Sequence, residues 1–188
     1  MKTLQVLSYI VVACAMTASP IARASHFLGA EIRYFPLGGL AYSIKVDLFT
    51  DPNSSADRPE IPVDFGSGVW DTIPRVLIQD FPGGSCGPIR RNVYESTFTY
   101  PGPGTYHIRT RNQNRSEGII NIPNSGEQGS CVDAQLVINP LLGANTSIQF
   151  NTWQTVTTLN WSTLVHDPAA FDQEGDSMSF ELVSPRNL

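Results

Sequence analysis

Regular alternation of apolar and polar side chains is the feature that most limits what this chain can fold into. The clearest run has apolar side chains at every second position, with polar ones between them: Tyr42, Ile44, Val46 and Leu48 against Ser43, Lys45 and Asp47. Successive side chains of a β-strand point to opposite faces, so this pattern predicts a strand buried on one face. Helical periodicity is nearly absent from the rest of the chain, and we therefore expect an all-β protein.

Further segments carry the same signal more weakly, and clusters of Gly, Pro, Asn and Ser separate them. These segments are residues 31–34, 76–79, 93–100, 105–110, 119–122 and 134–139. The sequence Leu-Gly-Gly-Leu at residues 37–40 predicts a hairpin turn between the first two strands. Many short strands separated by turns are typical of an antiparallel β-sandwich of the immunoglobulin-like type.

The start of one predicted strand is more specific. Residues 99–108 read TYPGPGTYHI, a glycine-rich turn followed by a strand whose first inward residue is Tyr106. This resembles the entry to the penultimate strand of immunoglobulin-like and PKD-like domains, where a tyrosine hydroxyl bonds back to the turn backbone. The resemblance implies that Tyr106 forms a structural corner, and the alternative is an ordinary core tyrosine.

The N-terminus reads as an export signal over residues 1–24. Lys2 precedes a largely apolar run at residues 4–18, and small residues surround a predicted cleavage site after Ala24. The run is shorter than the roughly 18 to 20 apolar residues of a transmembrane helix. We expect a secreted or cell-surface protein without a transmembrane segment. A second reading remains open, in which residues 11–14 form a lipobox and Cys14 carries a lipid anchor.

The charge of the exported chain argues against a nucleic-acid partner. Removing residues 1–24 takes away Lys2 and Arg23 but no acidic residue, so the net charge of −5 becomes −7. Binding to nucleic acid requires a clustered basic face. The local group of Arg109, Arg111 and Arg115 occupies alternating positions and is expected to be a solvated face.

Two cysteines remain after removal of the signal. In an oxidising compartment an even pair is read first as a disulfide, here between Cys86 and Cys131. Closing a loop of that length would stabilise the fold by roughly 4 kcal/mol in the chain-entropy model. Two separate thiols are the alternative, because spacing along the chain does not show proximity.

The organisation of the chain suggests one domain and part of another. A β-sandwich domain is predicted over residues 25–140, and residues 141–145 read as a linker. Residues 141–188 are too few for a second sandwich, which needs about 100 residues. We therefore expect them to be an incomplete immunoglobulin-like module of the cadherin or PKD type, either cut off in a fragment or completed by a partner.

The predicted mature N-terminus resembles a known family, the large secreted modular surface proteins of gliding and related bacteria. The residues that carry this resemblance are Ser25, His26, Gly29, Glu31, Ile32, Tyr34, residues 37–39, Tyr42, Ile44 and Leu48, with a second stretch over residues 106–122. In that family a sandwich domain precedes tandem immunoglobulin-like or PKD-like modules, often with a gliding-motility-associated sorting domain. The chain departs from the pattern where the family has cysteines, at Pro36, Pro52, Gln113 and Asn114.

The resemblance also covers an acidic stretch, DQEGDSMSF at residues 172–180. Later modules of the family and cadherin-type repeats carry a similar element, and they imply calcium held by Asp172, Glu174 and Asp176. The residues themselves point the same way: carboxylates two positions apart share a side, Gly175 permits a turn, and Ca²⁺ takes six to eight oxygen ligands. The alternative is a solvated acidic turn before a strand at residues 178–183.

Catalytic motifs are weak, and we expect a protein that is not an enzyme. Residues 83–87 match G-x-S-x-G formally, but the nucleophile elbow needs a strand before it and a helix after it. The predicted function is a structural or adhesive role toward a surface protein or glycan. A carbohydrate-binding module is the alternative, if Trp70, Trp153 and Trp161 stack on sugars instead of packing in a core.

Overall fold

The computed structural model describes residues 27–82, 87–151, 163 and 167–184, and in that part the regular secondary structure is β-strand apart from one 3₁₀ turn. Seven longer strands come first, and two strands of two residues each follow. They are β1 (Phe27–Gly38), β2 (Ala41–Thr50), β3 (Glu60–Asp64), β4 (Trp70–Phe81), β5 (Ile89–Thr99), β6 (Gly104–Asn112), β7 (Ser130–Ile138), β8 (Gln149–Phe150) and β9 (Ala170–Phe171). One 3₁₀ turn, Ser125–Glu127, lies between β6 and β7. The all-β prediction is confirmed.

The seven long strands form one antiparallel sheet in the order β1-β2-β5-β4-β3-β6-β7. Strand β4 belongs to both halves of this sheet: residues 70–74 pair with β3, and the residues from Arg75 to Phe81 pair with β5. An irregularity between Arg75 and Leu77 marks the change of partner. Such a bulge bends a strand and increases its twist, which lets the two halves of the sheet turn toward each other.

Side chains from all seven long strands share one core. The fully buried members include Ile44, Ile61, Ile73, Ile108 and Leu136. Strands β1 and β7 stand at opposite ends of the strand order, yet they contact each other, and the Tyr34 hydroxyl donates to the carbonyl oxygen of Gln135 at 3.1 Å. The sheet therefore curls around its own apolar face.

The turn between β3 and β4 is fixed by a buried carboxylate. Asp64 Oδ1 accepts hydrogen bonds from the backbone N–H groups of Gly66, Ser67 and Gly68 at 2.8 to 3.0 Å. Gly66 has φ +103°, and a Cβ atom built on it would lie 2.9 Å from the Cβ of Tyr106. This position therefore needs glycine both for its backbone angle and for the close approach of β6.

Most of the predicted strands are present, but two are wrong. The hairpin at residues 37–40 joins β1 to β2 as predicted. Residues 119–122 form a turn closed by a hydrogen bond from the Ile122 N–H to the Ile119 carbonyl, and the Ile120 side chain is fully exposed. Residues 178–183 also carry no strand, because no neighbouring strand pairs with them and most of their side chains face solvent.

Candidate functional site

Four charged side chains meet on the outward face of β1, β2 and β5, opposite the core. Glu31 stands directly across from Asp47 in the β1–β2 pairing, and Arg91 stands across from Phe49 in the β2–β5 pairing. Arg33 follows Glu31 by two positions and so shares its face. Glu31, Arg33, Asp47 and Arg91 are called the charged cluster below.

The charged cluster is centred on the carboxylate of Asp47. Arg33 Nη2 and Arg91 Nη2 both donate to Asp47 Oδ2, at 2.5 and 2.6 Å, and the Asp47 side chain is only 3% exposed. Two guanidinium groups on one oxygen leave Asp47 Oδ1 without a hydrogen-bond partner in the described part of the chain. A buried carboxylate needs such counter-charges, so removing either arginine would leave Asp47 poorly compensated.

Glu31 is the member of the charged cluster that can change its charge near neutral pH. Burial raises the pKa of Glu31 to about 7; Arg33 opposes this rise, and the Asp47 carboxylate adds to it. The Glu31 carboxylate lies 3.5 Å from Arg33 Nε, but its Oε1 atom makes no hydrogen bond within the described residues. Weak pairing combined with desolvation favours the protonated carboxyl group.

A cavity of about 260 Å³ opens beside the charged cluster. Its walls are built by the four charged side chains together with Phe49, Gln149, Phe150 and Asn151. The last three belong to β8 and the residue after it, so a segment about 50 residues beyond the end of β5 completes the cavity. We call this space the charged pocket.

The chain returns to β1 just before it forms the charged pocket. The backbone N–H of Ser147 donates to the carbonyl oxygen of Tyr34 at 3.0 Å, and the Tyr34 N–H donates to Ser147 Oγ at 3.0 Å. Thr146 and Ser147 are buried as a result. These contacts hold the start of the predicted second module against the free edge of β1.

The acidic turn at residues 172–176 is held by its own backbone. Asp172 Oδ1 accepts hydrogen bonds from the N–H groups of Glu174 and Asp176, each at 3.0 Å. Gly175 has φ +84°, and its N–H donates to the Asp172 carbonyl at 3.3 Å. The Thr146 hydroxyl donates to Glu174 Oε1 at 2.8 Å, which ties the acidic turn to the segment beside β1.

This arrangement does not gather Asp172, Glu174 and Asp176 into a ligand set. Within the ranges that the structure describes, no group of three or more His, Cys, Asp and Glu side chains is placed so that it could hold a metal ion. Asp172 is engaged by the turn, and Glu174 by Thr146. The calcium implied by the family resemblance stays a prediction.

Tyr106 lies where the glycine-rich turn enters β6. Its hydroxyl donates to the carbonyl oxygen of Gly102, four residues upstream, at 2.8 Å. The ring lies 4.3 Å from that of Tyr100, which in turn makes an edge contact with Tyr42 at 5.9 Å between ring centroids. The bond to the turn backbone is the kind that a tyrosine corner makes, and its effect is to fix the entry of β6 into the core.

Three polar residues on the outer face of β6, namely His107, Arg109 and Arg111, are each engaged by a neighbouring side chain. His107 Nδ1 lies 3.0 Å from Asp133 Oδ1, and Arg109 Nε lies 2.9 Å from Asp133 Oδ2. The guanidinium of Arg111 covers one face of the Trp70 ring at 4.3 Å from its centroid. That face of Trp70 is therefore occupied by a cation–π contact, which leaves less of the ring for stacking on a sugar.

Several residues of the sequence predictions lie outside the described residues. They are the export segment at residues 1–24 with Cys14, and Ser25, His26, Ser85, Cys86, Trp153 and Trp161. Cys131 is half-buried on β7, opposite Arg111 of β6. The disulfide between Cys86 and Cys131 stays a prediction.

Sequence reasoning did not single out the charged cluster as a site. The hairpin turn at residues 37–40 does indicate roughly which residues of β1 and β2 face each other, and it could have placed Glu31 near Asp47. It gives no information on Arg91, because the pairing of β2 with β5 joins segments more than 40 residues apart. The contribution of Gln149 and Phe150 is still more distant in sequence.

Comparison with known protein families, with characterised proteins and with solved structures finds no match to this chain. A search of the described ranges for a helix long and apolar enough to cross a bilayer also finds none.

Proposed function

We propose that this chain is an exported, non-catalytic surface protein with a structural or adhesive role. In this proposal the seven-stranded unit is a β-sandwich of the immunoglobulin-like type, and residues 141–188 begin a second module. The export signal and the resemblance to modular bacterial surface proteins support it from the sequence. The observation that carries it is the connection between the two parts of the chain beside β1.

That connection is a junction with two polar components. Ser147 and Tyr34 exchange hydrogen bonds through the edge of β1, and Thr146 bonds Glu174 of the acidic turn. The two hydrogen bonds between Ser147 and Tyr34 fix the path of the chain, because the backbone groups of both residues would lose a partner if the segment moved away. A junction held in this way suits a protein whose modules transmit force or hold a binding surface in a set direction.

A double-mutant cycle tests the junction. We expect Thr146→Val and Glu174→Ala to lower the free energy of unfolding by about 1 kcal/mol each. The double variant should lose less than the sum, because the two changes remove one contact. Thr72→Val, at an exposed position of β4, is the matched control. If the double variant loses the full sum of the two single losses, the contact between Thr146 and Glu174 does not stabilise the junction.

Export and location are tested on the protein as cells make it. Mass spectrometry of the mature chain is expected to find Ser25 at the N-terminus, and an antibody is expected to label intact cells. A lipid on Cys14 would instead support the anchored form. A hydrolase activity that Ser85→Ala abolishes would overturn the non-catalytic role.

Calcium is tested separately, by thermal unfolding with millimolar calcium and then with a chelator. A ligand that binds only the folded state, at 100 times its dissociation constant, adds about 2.7 kcal/mol. The calcium prediction requires a rise in the unfolding temperature that Asp176→Asn removes and Glu181→Gln leaves unchanged. If calcium does not raise the unfolding temperature, residues 172–176 are an acidic turn held by its own backbone, as the structure shows it.

A further inference from the structure

The charged pocket contains more hydrogen-bonding capacity than its own side chains use. Four buried atoms of its walls lack a hydrogen-bond partner among the described residues: Glu31 Oε1, Arg33 Nε, Asp47 Oδ1 and Arg91 Nε. Two are carboxylate acceptors and two are guanidinium donors. Glu31 Oε1 and Arg33 Nε face each other at 3.5 Å without forming a hydrogen bond, and Asp47 Oδ1 and Arg91 Nε form none within the described residues. Each unsatisfied buried group costs about 1 to 3 kcal/mol.

The charge balance of the pocket indicates the charge of its ligand. Two guanidinium cations and two carboxyl groups surround one space, so its formal charge is zero when both carboxyl groups are ionised and only +1 when Glu31 is protonated. A multiply charged anion would meet the carboxylate of Asp47, and a cation would meet two arginines. A neutral ligand that both donates and accepts hydrogen bonds avoids both penalties.

The shape of the pocket narrows the ligand further. Phe49 and Phe150 contribute apolar wall next to the charged side chains, and Gln149 and Asn151 add amide groups. A sugar ring presents hydroxyl groups on its rim, each a donor and an acceptor, and C–H groups on its faces. The volume of about 260 Å³ lies just below the roughly 300 Å³ lower end of small-molecule sites, which suits one ring and not a longer chain.

We propose that the charged pocket binds a single residue of a neutral saccharide. Arg33 and Arg91 donate to its hydroxyl oxygens, Asp47 and Glu31 accept from its hydroxyl groups, and Phe150 packs against a ring face. This goes beyond the proposed structural or adhesive role, because a module junction does not require a ligand. None of the described residues that line this pocket is a tryptophan.

The test uses the exported protein and a panel of neutral oligosaccharides ending in glucose, galactose or mannose. Binding is measured by calorimetry, or by ligand-observed NMR where it is weak. We expect at least one glycan to bind, and Arg91→Gln and Phe150→Ala each to weaken it about tenfold or more, which is the loss of one charged hydrogen bond or an apolar contact. Arg109→Gln, which removes an arginine paired with Asp133 on β6, is the matched control and should bind normally.

Gln149→Ala changes another residue that lines the pocket and provides a second test, should Arg91→Gln fail to fold. The proposal is overturned if no neutral glycan binds at about 10 mM, or if Phe150→Ala and Gln149→Ala both bind as the unmodified protein does. Binding of inorganic sulfate or of a free amino acid in place of the glycans would also overturn it, in favour of an anion or zwitterion site. The double-mutant cycle at Thr146 and Glu174 measures the junction independently of glycan binding. Failure of the saccharide proposal therefore does not imply failure of the structural or adhesive role, and the reverse also holds.

Discussion

Replacing Glu31 with glutamine is expected to remove a pH-dependent loss of stability between about pH 4.5 and 7. Burial raises the pKa of Glu31 from its ordinary value of 4.5 to about 7. Because the folded-state pKa is the higher one, the protonated carboxyl group favours folding. This contribution is fully present below the unfolded pKa and is lost as the pH rises through the folded pKa.

The size of the effect follows from the same two values. One pH unit of pKa difference corresponds to about 1.4 kcal/mol, so the difference between 4.5 and about 7 corresponds to roughly 3 kcal/mol. The Glu31 side chain is only 11% exposed, so solvent screening reduces this value little. Glutamine has nearly the shape of a protonated glutamic acid but does not ionise.

The assay is urea unfolding of the unmodified protein and Glu31→Gln at several pH values from about 5 to 8. The advantage of the variant should be about 1 kcal/mol near pH 5, grow to roughly 3 kcal/mol near pH 7, and then level off. Subtracting the unfolding free energies of the two proteins removes the contribution of every group that titrates alike in both. Glu60→Gln, at an exposed glutamate of β3, is the matched control and should show no such trend. An advantage that does not change with pH would refute the account of the charged cluster.

Other changes test the packing that positions the site, and urea unfolding measures each of them. Tyr106→Phe removes the hydrogen bond to Gly102 and should cost about 0.5 to 1.5 kcal/mol; no loss would mean that the bond is not formed. Gly66→Ala should cost more than about 1 kcal/mol, because φ is +103° and the new Cβ would lie 2.9 Å from that of Tyr106; a gain in stability would contradict the backbone angle. Ile44→Ala empties a fully buried position of β2 and should cost about 2 to 5 kcal/mol; a loss below that range would place Ile44 outside the core.

Strand β2 shows how far the sequence determines the fold. Its alternation predicted one buried face, and Tyr42, Ile44, Val46 and Leu48 do lie in the core. The other face was expected to be solvated, but Asp47 and Phe49 on it are almost fully buried. The cause is a segment about 100 residues later, residues 149–151, which covers that face beside the charged cluster. Local periodicity carries no information about such a distant cover.

The strand errors have a similar origin in pairing. Strand β3 escaped prediction because it is five residues long and contains Pro62, which cannot donate to a ladder hydrogen bond. Residues 119–122 have apolar side chains but no partner strand, so they close a local turn instead. A short segment becomes a strand only where a neighbour supplies hydrogen bonds, and that neighbour is decided by the whole fold.

Native-state hydrogen exchange at the amide of Ser147 measures whether the segment after β7 is fixed against β1. The attachment depends on the 3.0 Å hydrogen bond from the Ser147 N–H to the Tyr34 carbonyl. We expect this amide to be protected to a degree comparable with the amides of β2. Exchange close to the rate of an unstructured peptide would contradict it, and would separate the second segment from the β unit.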